Sequence, residues 1–596
     1  MKALTPEEKA TGKQNFYEAV GVSRRDFMKG VVAAGAVSGG GLGALYFGYN
    51  AVHDPVRIGV IGTGDEGNVL IGALNPDYQQ VVAIADIRPY NIHRAFHGDW
   101  ASDTALAVRC GLMTKYGWKS EDEARKQVKV YHQDYHDLIN DPDVEAVVIA
   151  LPLHLHAKAA IECMQAGKHV LTEKLMGHNV AQCKVMSRVA EDKDLYLATG
   201  HQRHYSVLYD NAVNLLRWGI MGQLHHIRAQ WHRGNLPGRD SWQQPLPGGE
   251  LVPGTSEPLD KIRARLKALE GALKKEKDPV KAEKLTKQVA QWRAWDSDRG
   301  LTAEDYDYEE MTLSNGRVRS AMEELCRWRL WARTGGGLMA ELGSHQLDAA
   351  SIFISAMRAD GKKVHPLTVY AVGGRQIFGL DREAEDHVYC MFEFPGPDYH
   401  PTFDVGYRDP VSNVPDPKTG VPGYEKDPNK KIVVTYSSIN GNGFGGYGEI
   451  VLGTKGTLVL EREQDVMLYK TSDTASKISV KDDKGGVSMD TQASGPPSAV
   501  AAMARAADSG PVSRGYTEEL EHWAWCIRNK APENQPRCKP EVAMGDAIIA
   551  LAANVAIRKS MAGEAGFLRF DEAWFDLHSD ETPDGSSIEE ETNDLV

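Results

Sequence analysis

The sequence predicts an α/β protein: an N-terminal doubly wound parallel sheet, followed by a C-terminal α+β domain with a large open, mostly antiparallel sheet. Three observations carry this. From Val56 to Gly200 short apolar runs alternate with helical stretches. A glycine turn, Gly62-Thr63-Gly64-Asp65-Glu66-Gly67, stands where the first run gives way to the first helix. Beyond Gly200 the grammar changes, and the runs read as antiparallel strands of one broad sheet. Continuous apolar strands separated by helices indicate a parallel sheet covered on both faces.

Taken in order, Val56–Ile61 is a first buried strand, followed by the glycine turn and a helix through Leu70 to Leu74. Val81 to Ala85 is a second strand ending at Asp86, and Val144 to Ala150 is another, broken by Leu151-Pro152. A helix from His156 to Ala166 stops at Gly167, and His169–Thr172 and Leu195–Thr199 add two strands. In the second domain, 224–231, 367–372, 386–394, 432–438, 448–452 and 457–461 read as antiparallel strands, with a helix at 344–357 packed on them. The expected organisation is a signal or anchor over 1–52, a nucleotide-binding domain over 53–201, a substrate and oligomerisation domain over 202–575 and an acidic tail over 576–596. An insertion at 237–320 repeats Ile262, Leu266, Leu269 and Leu273, then Leu285, Val289 and Trp292, at helical spacing. It is expected to be a charged helical hairpin serving as a surface or subunit-contact feature. Segments 416–430 and 472–498 read as loops, and the acidic tail as solvated chain.

At 596 residues the chain is long enough for two or three cores, and its net charge of −14 argues against nucleic acid as a partner. Seven scattered cysteines with no C-x-x-C pair do not form a disulfide framework and are expected to be buried core residues.

Near the N-terminus, Ser23-Arg24-Arg25-Asp26-Phe27-Met28-Lys29 precedes an uncharged Gly/Ala-rich stretch from Gly30 to Tyr49. This is the grammar of a twin-arginine export signal, so the twin-arginine translocase is an expected partner and the periplasm or outer face of the cytoplasmic membrane the expected location. With no small-x-small cleavage site before His53-Asp54-Pro55, the segment is also a candidate membrane anchor.

The glycine turn has the context a dinucleotide fingerprint requires, a strand before it and a helix after it. Gly62 permits the tight turn, Gly64 lets backbone approach a pyrophosphate at the helix N-terminus, and Gly67 completes the motif with Thr63 and Glu66 alongside. Asp86, 19 residues past Gly67 at a strand end, would accept from ribose hydroxyls and repel a 2′-phosphate, which favours NAD; Arg88 leaves NADP open. Glu173-Lys174 closes another strand at the edge where ligands lie, and a lysine there can relay a hydroxyl proton, although the dipeptide alone favours a surface salt bridge. The run Gly335-Gly336-Gly337 to Asp348 places Glu341 four residues before His345 and His345 three before Asp348, which on a helix share one face. A carboxylate, an imidazole and a lysine around one pocket can hold a polyol and move a proton, and no metal is expected.

The glycine turn, Leu151-Pro152 with His156, Glu173-Lys174 and the Glu341–His345–Asp348 element stand in the order found in the Gfo/Idh/MocA oxidoreductase family, which this chain resembles from about Val56 to Phe570. The resemblance implies a Rossmann domain, a C-terminal domain whose open sheet serves substrate binding and dimer or tetramer contacts, and action on sugars, cyclitols and their derivatives. It implies Lys174 as catalytic lysine, His345 as proton relay, and Glu341 in the place of an aspartate. Leu151, Pro152, His156, Glu173, Lys174 and Gln202 fall near the cofactor, and Arg203, with Asp348, near the substrate. Trp231-His232, Trp242 and the Arg327–Trp331 run fit either a sugar-stacking surface or core aromatics. Two departures stand out: Leu175 replaces the usual proline, and Glu341 adds a methylene.

An exported enzyme cannot exchange a spent cofactor for a fresh one, so each turnover must leave it in its starting state. The expected activity is therefore hydride transfer to or from a sugar or polyol with tightly bound NAD or NADP recycled in the site. The alternative is a glycoside hydrolase or lyase acting through transient oxidation of the sugar, and a third is a carbohydrate-binding or scaffold protein that keeps the fold. Loss of Lys174 or His345 would mark the third, and both are present.

Overall fold

The computed structural model describes residues 4–21, 41–251, 257–358, 360–401, 429–470, 479–483, 486–490 and 514–596. The arginine pair and residues 30–40 of the stretch after it lie outside the described residues, as does most of both expected loops.

A six-stranded parallel sheet comprises β1 (Val56–Ile61), β2 (Gln79–Ala85), β3 (Lys129–Tyr131), β4 (Ala146–Ile149), β5 (His169–Thr172) and β6 (Leu197–Thr199). Their order β3-β2-β1-β4-β5-β6 reverses direction beside β1, which opens a crevice at the strand ends between β1 and β4. All four residues of β4 are buried, because helices cover both faces.

The chain then forms β7 (Leu224–Arg233), a small hairpin of β8 (Met311–Thr312) and β9 (Val318–Arg319), and β10 (Thr368–Gly374), β11 (His387–Pro395), β12 (Lys431–Asn440), β13 (Tyr447–Gly453), β14 (Gly456–Glu461) and β15 (Asp465–Lys470). A second hairpin, β16 (Ser479–Asp483) with β17 (Gly486–Asp490), and the last strand β18 (Phe567–Arg569) complete the strands. The large sheet runs β15-β14-β13-β7-β12-β11-β10-β18, and only its β7–β12 pair is parallel. Along β12 burial alternates residue by residue, so one face packs on the core. The helices Ser344–Ser355 and Pro540–Met561 supply that packing, the latter apolar nearly all round because neighbours surround it. The opposite face leaves Tyr370, Val372, Tyr389 and Met391 exposed side by side.

One expectation is corrected here. The acidic last segment is folded rather than solvated: Asp584 and Ser586 accept from the amides of Val180 and Ala181 at 2.9 and 3.0 Å, at the N-terminus of the Val180–Asp192 helix. The fully buried Lys184 ammonium donates to the carbonyls of Ala573, Ser579 and Glu581. Free amides and a buried cation need acceptors, and a chain end rich in carboxylates and carbonyls provides them.

The insertion's helices Lys261–Leu273 and Pro279–Ser297 form a hairpin, largely exposed, that packs on the Rossmann helix Pro89–His97 of its own chain. Trp295 stacks on Tyr90 with ring centroids 4.4 Å apart, and Gln291 bridges Asp99 and the amide of Trp100. On either side of the arginine pair, Phe16 and Tyr49 are buried in the body of the protein, and the Tyr49 hydroxyl donates to Glu521 at 2.6 Å. All seven cysteines are free; six are buried and Cys110 is half-buried.

Candidate active site

The crevice between β1 and β4 begins with the glycine turn. Gly62 adopts φ +86°, and a Cβ there would lie 2.4 Å from the Ala150 carbonyl. A Cβ on Gly67 would lie 2.1 Å from the Gly62 oxygen, so both positions need glycine to keep helix and strand this close. Gly64 caps the Asp65–Ala73 helix without a side-chain hydrogen bond, leaving its first amides to an anion. Asp65 sits at that end, but Arg94 contacts it at 2.6 Å and Arg109 approaches it at 3.9 Å. Asp86 closes β2, accepting from the amide and hydroxyl of Thr63 at 2.7 and 3.2 Å and from Asn91 at 3.1 Å. A bare helix N-terminus with a carboxylate at the neighbouring strand end fits the pyrophosphate and ribose of a dinucleotide. Arg88 does not face this groove openly, because its Nε donates to Asp298 at 3.0 Å.

At the end of β4, His156 bridges two segments, with Nδ1 2.8 Å from the Leu175 carbonyl and Nε2 2.8 Å from that of Leu151, the residue before Pro152. It thereby ties the strand end to the turn that carries Lys174. The Lys174–Leu175 peptide is cis. Glu173 is buried, its Oε2 accepts from the Lys174 amide, and its Oε1 has no hydrogen-bond partner among the described residues, as is also true of Glu66 Oε1. Burial and then the neighbouring Glu66 push the Glu173 carboxyl up to about 8.

Lys174 is half-buried, and its Nζ donates to the carbonyls of Glu341 at 2.9 Å and Ala340 at 3.4 Å. These carbonyls are available because Met339–Gly343 forms a π turn that opens the helical ladder just before the Ser344–Ser355 helix. The Glu341 carboxylate accepts from Arg329 Nε at 2.7 Å. Burial alone would raise Glu341, but Arg329 and then Lys174 hold it below the usual carboxylate range. His345 is buried, its Nδ1 has no partner among the described residues, and its ring lies 5.5 Å from that of Trp231. Burial, then the Lys174 and Arg203 charges, hold its imidazole well below its ordinary value, so it is neutral. Trp231 stacks on Tyr447 at 4.3 Å, giving the site an aromatic wall.

Glu341, His345 and Asp348 do not converge on one point. Asp348 is fully buried and faces His204 at 2.8 Å and Lys363 at 3.4 Å, with His201 3.7 Å away, so its expected substrate contact is replaced by a buried charge cluster. Two triads of ligand-type atoms meet there, His204–Cys538–Asp546 and His201–Asp348–Asp546. The cation at hand is the Lys363 ammonium, 2.5 Å from Asp546.

Arg203 is likewise not at an accessible surface. It is buried between Glu463 at 2.8 Å and Glu449 at 3.1 Å, and it also donates to the His345 carbonyl. Gln202, expected at the cofactor, is buried and donates to Glu463 at 3.4 Å. Both positions follow from Glu449 on β13 and Glu463 in the turn between β14 and β15 reaching the short helix Gln202–Tyr205. His232 is half-buried between the Phe444 carbonyl and Ser437. Arg329, His201 and Tyr447 are site neighbours that sequence reasoning did not assign; Arg329 had only appeared within an Arg/Trp run of open role.

Residues 56–201 match the family model described as GFO_IDH_MocA, an oxidoreductase family with an NAD-binding Rossmann fold. Among curated relatives, a 1-carboxy-3-chloro-3,4-dihydroxycyclohexa-1,5-diene dehydrogenase from Comamonas testosteroni is 30% identical over 212 residues, covering 35% of this chain and 47% of that protein. Inositol 2-dehydrogenase 1 from Saccharopolyspora erythraea is 33% identical over 171 residues, covering 28% and 43%. The chain spans about half the length of the curated relatives it matches. Among solved structures, a levoglucosan dehydrogenase in complex with NADH aligns at 16% identity and a TM-score of 0.45, covering 87% of this chain and 100% of that one.

Proposed function

We propose that this protein is a nicotinamide-dependent oxidoreductase of the Gfo/Idh/MocA type that moves hydride to or from a hydroxyl-bearing carbon of a sugar, polyol or derivative. The dinucleotide is held tightly and recycled within the site, NAD being favoured over NADP, and the protein works outside the cytoplasm after twin-arginine export. Phe16 and Tyr49, buried on either side of the arginine pair, support retention of that segment in the mature protein.

The observation that carries the chemistry is the meeting of Lys174 with the Glu341–His345 segment. The Lys174 ammonium has three protons and hands two to the carbonyls of Ala340 and Glu341, which leaves one for a substrate oxygen. The neutral His345 imidazole, which lies beside Trp231, can accept or return the hydroxyl proton. Arg329 fixes Glu341, so Lys174, Arg329 and Glu341 are the charged groups beside the neutral imidazole. Trp231 and Tyr447 present a stacked aromatic surface suited to the apolar face of a sugar ring. When bound, the nicotinamide ring supplies the hydride acceptor or donor. Gly62, Thr63, Gly64, Glu66 and Gly67 would hold its pyrophosphate, Asp86 its ribose, and Leu151, Pro152, His156 and Glu173 border the crevice.

The test is mass spectrometry of the denatured, purified protein for a co-purified dinucleotide, followed by assays on sugar and polyol pairs. Stoichiometric NAD or NADP with reduction of one sugar coupled to oxidation of another supports the reading. A protein that carries no dinucleotide and binds none when offered would sink it.

A further inference from the structure

We propose that Asp298, at the end of the insertion's second helix, selects NAD over NADP by withdrawing Arg88 from the rim of the dinucleotide groove; this rests on the nicotinamide reading above. Arg88 follows Asp86 by two residues and starts the Pro89–His97 helix, and its amide donates to Asp86 Oδ1 at 2.9 Å. An arginine at this place beyond the ribose-binding carboxylate is where a protein takes up a 2′-phosphate. Here the guanidinium is turned the other way. Its Nε meets Asp298 Oδ2 at 3.0 Å, while Asp298 Oδ1 accepts the Tyr90 amide at 2.9 Å.

This tie is enclosed. The Asp298 side chain is 0% exposed and that of Arg88 11%. Cys326 lies beside the guanidinium, and Tyr90 is covered by Trp295 from the same insertion helix. Arg88 Nη2 is buried and has no hydrogen-bond partner among the described residues. A guanidinium with a buried, unsatisfied donor gains hydrogen bonds by swinging outward once Asp298 stops holding it. The negative charge left at the rim is that of Asp86, fixed there by Thr63 and Asn91. The insertion thus acts on cofactor choice through a residue 210 positions from Arg88 in the chain, and Asp298 is a positioning residue that need not touch the dinucleotide.

The experiment uses the full chain, freed of dinucleotide by charcoal treatment, with NADH and NADPH titrated by calorimetry. The wild type is expected to bind NADH at least tenfold more tightly than NADPH. Asp298→Ala is expected to narrow that ratio at least tenfold, mainly by tightening NADPH, while NADH affinity changes less than threefold. Adding Arg88→Met to this variant should restore the wild-type ratio. Should Asp298→Ala fail to fold, Asp298→Asn keeps an acceptor for the Tyr90 amide and removes the charge, and the same narrowing is expected. A ratio unmoved within threefold in a folded Asp298 variant overturns the proposal, as does a wild type that prefers NADPH. A wild type that binds neither dinucleotide overturns the nicotinamide reading itself, which separates the two failures.

Discussion

Arg329 Nε donates to Glu341 Oε2 at 2.7 Å, and the backbone carbonyl of the same Glu341 accepts from the Lys174 ammonium at 2.9 Å. One residue therefore links a strand-end lysine of the parallel sheet to an arginine of the second domain. Replacing Arg329 by Met removes the first counter-charge that keeps the buried Glu341 carboxyl low. Its pKa should rise, and the acidic limb of the activity profile should shift to higher pH. The Arg329 side chain is 31% exposed, so screening should limit the loss of stability to about 1–3 kcal/mol. A pH–rate profile and a denaturant melt check both.

Lys174→Met and His345→Ala should each lower kcat by about 10²–10⁴-fold, the range for removing a positioned acid or base. Dinucleotide affinity should change less than about threefold, because neither side chain belongs to the glycine turn or the β2 end. Equal loss of binding and turnover in either variant would assign it a structural role instead.

Stability should fall on acidification from about pH 6.5 towards 3. Burial holds His201 down to about 3 and His345 well below its ordinary 6.5, so both stay neutral when folded and take up a proton when unfolded. The unfolded state then binds more protons across this window, and stability is lost as pH drops by up to about 1.4 kcal/mol per pH unit per histidine. Glu173 acts oppositely: raised to about 8, it is stabilising below its unfolded pKa of about 4.5 and loses that contribution as pH rises through 8. Melts of wild type and His201→Asn between pH 4 and 7 should show a shallower slope for the variant.

Deleting residues 576–596 should destabilise the protein by at least about 3 kcal/mol. The deletion strips two of the three carbonyl acceptors from the fully buried Lys184 ammonium and removes the acceptors of the first two amides of the Val180–Asp192 helix. A thermal melt of the truncated chain measures this, and an unchanged melting point would show that the tail is dispensable.

Tyr370, Val372, Tyr389 and Met391 form an exposed apolar patch on the open face of the large sheet, each 42–53% accessible. Such patches mark contact surfaces. Light scattering of the wild type should give a dimer or tetramer, and Tyr389→Lys combined with Met391→Glu should shift it at least tenfold towards monomer without altering the fold.

Much of the architecture was legible because it is written in local periodicity. Six predicted strands of the second domain coincide with β7, β10, β11, β12, β13 and β14 within a few residues. The positions of β15 and β18 were not anticipated. The first follows closely on β14, and the second is a three-residue edge strand whose role comes from pairing with β10. The glycine turn was readable for the same reason, since a Cβ on Gly67 would lie 2.1 Å from the Gly62 oxygen and leave no room for a side chain.

The site was legible in its chain-local parts and opaque in its partners. Lys174 and His345 could be singled out from motif order, but no spacing rule announces that Arg329 is the counter-ion of Glu341. Equal helical spacing suggested that Glu341, His345 and Asp348 share a face, and the π turn at Met339–Gly343 together with Lys363 sent them to different neighbours. Arg203 and Gln202 sit beside the right segment yet are consumed by Glu449 and Glu463 from across the second sheet.

By itself the sequence determined the parallel sheet, the dinucleotide turn, the open second sheet and the residue types available for proton transfer. Each is encoded within a few residues, through apolar period, glycine geometry and strand-end placement. Only the tertiary structure decided which charges are paired, that the insertion folds back on its own Rossmann domain, and that the acidic end caps a helix. Those outcomes depend on burial, and a charge withdrawn from water is compelled to find whichever partner the fold brings near, however distant along the chain.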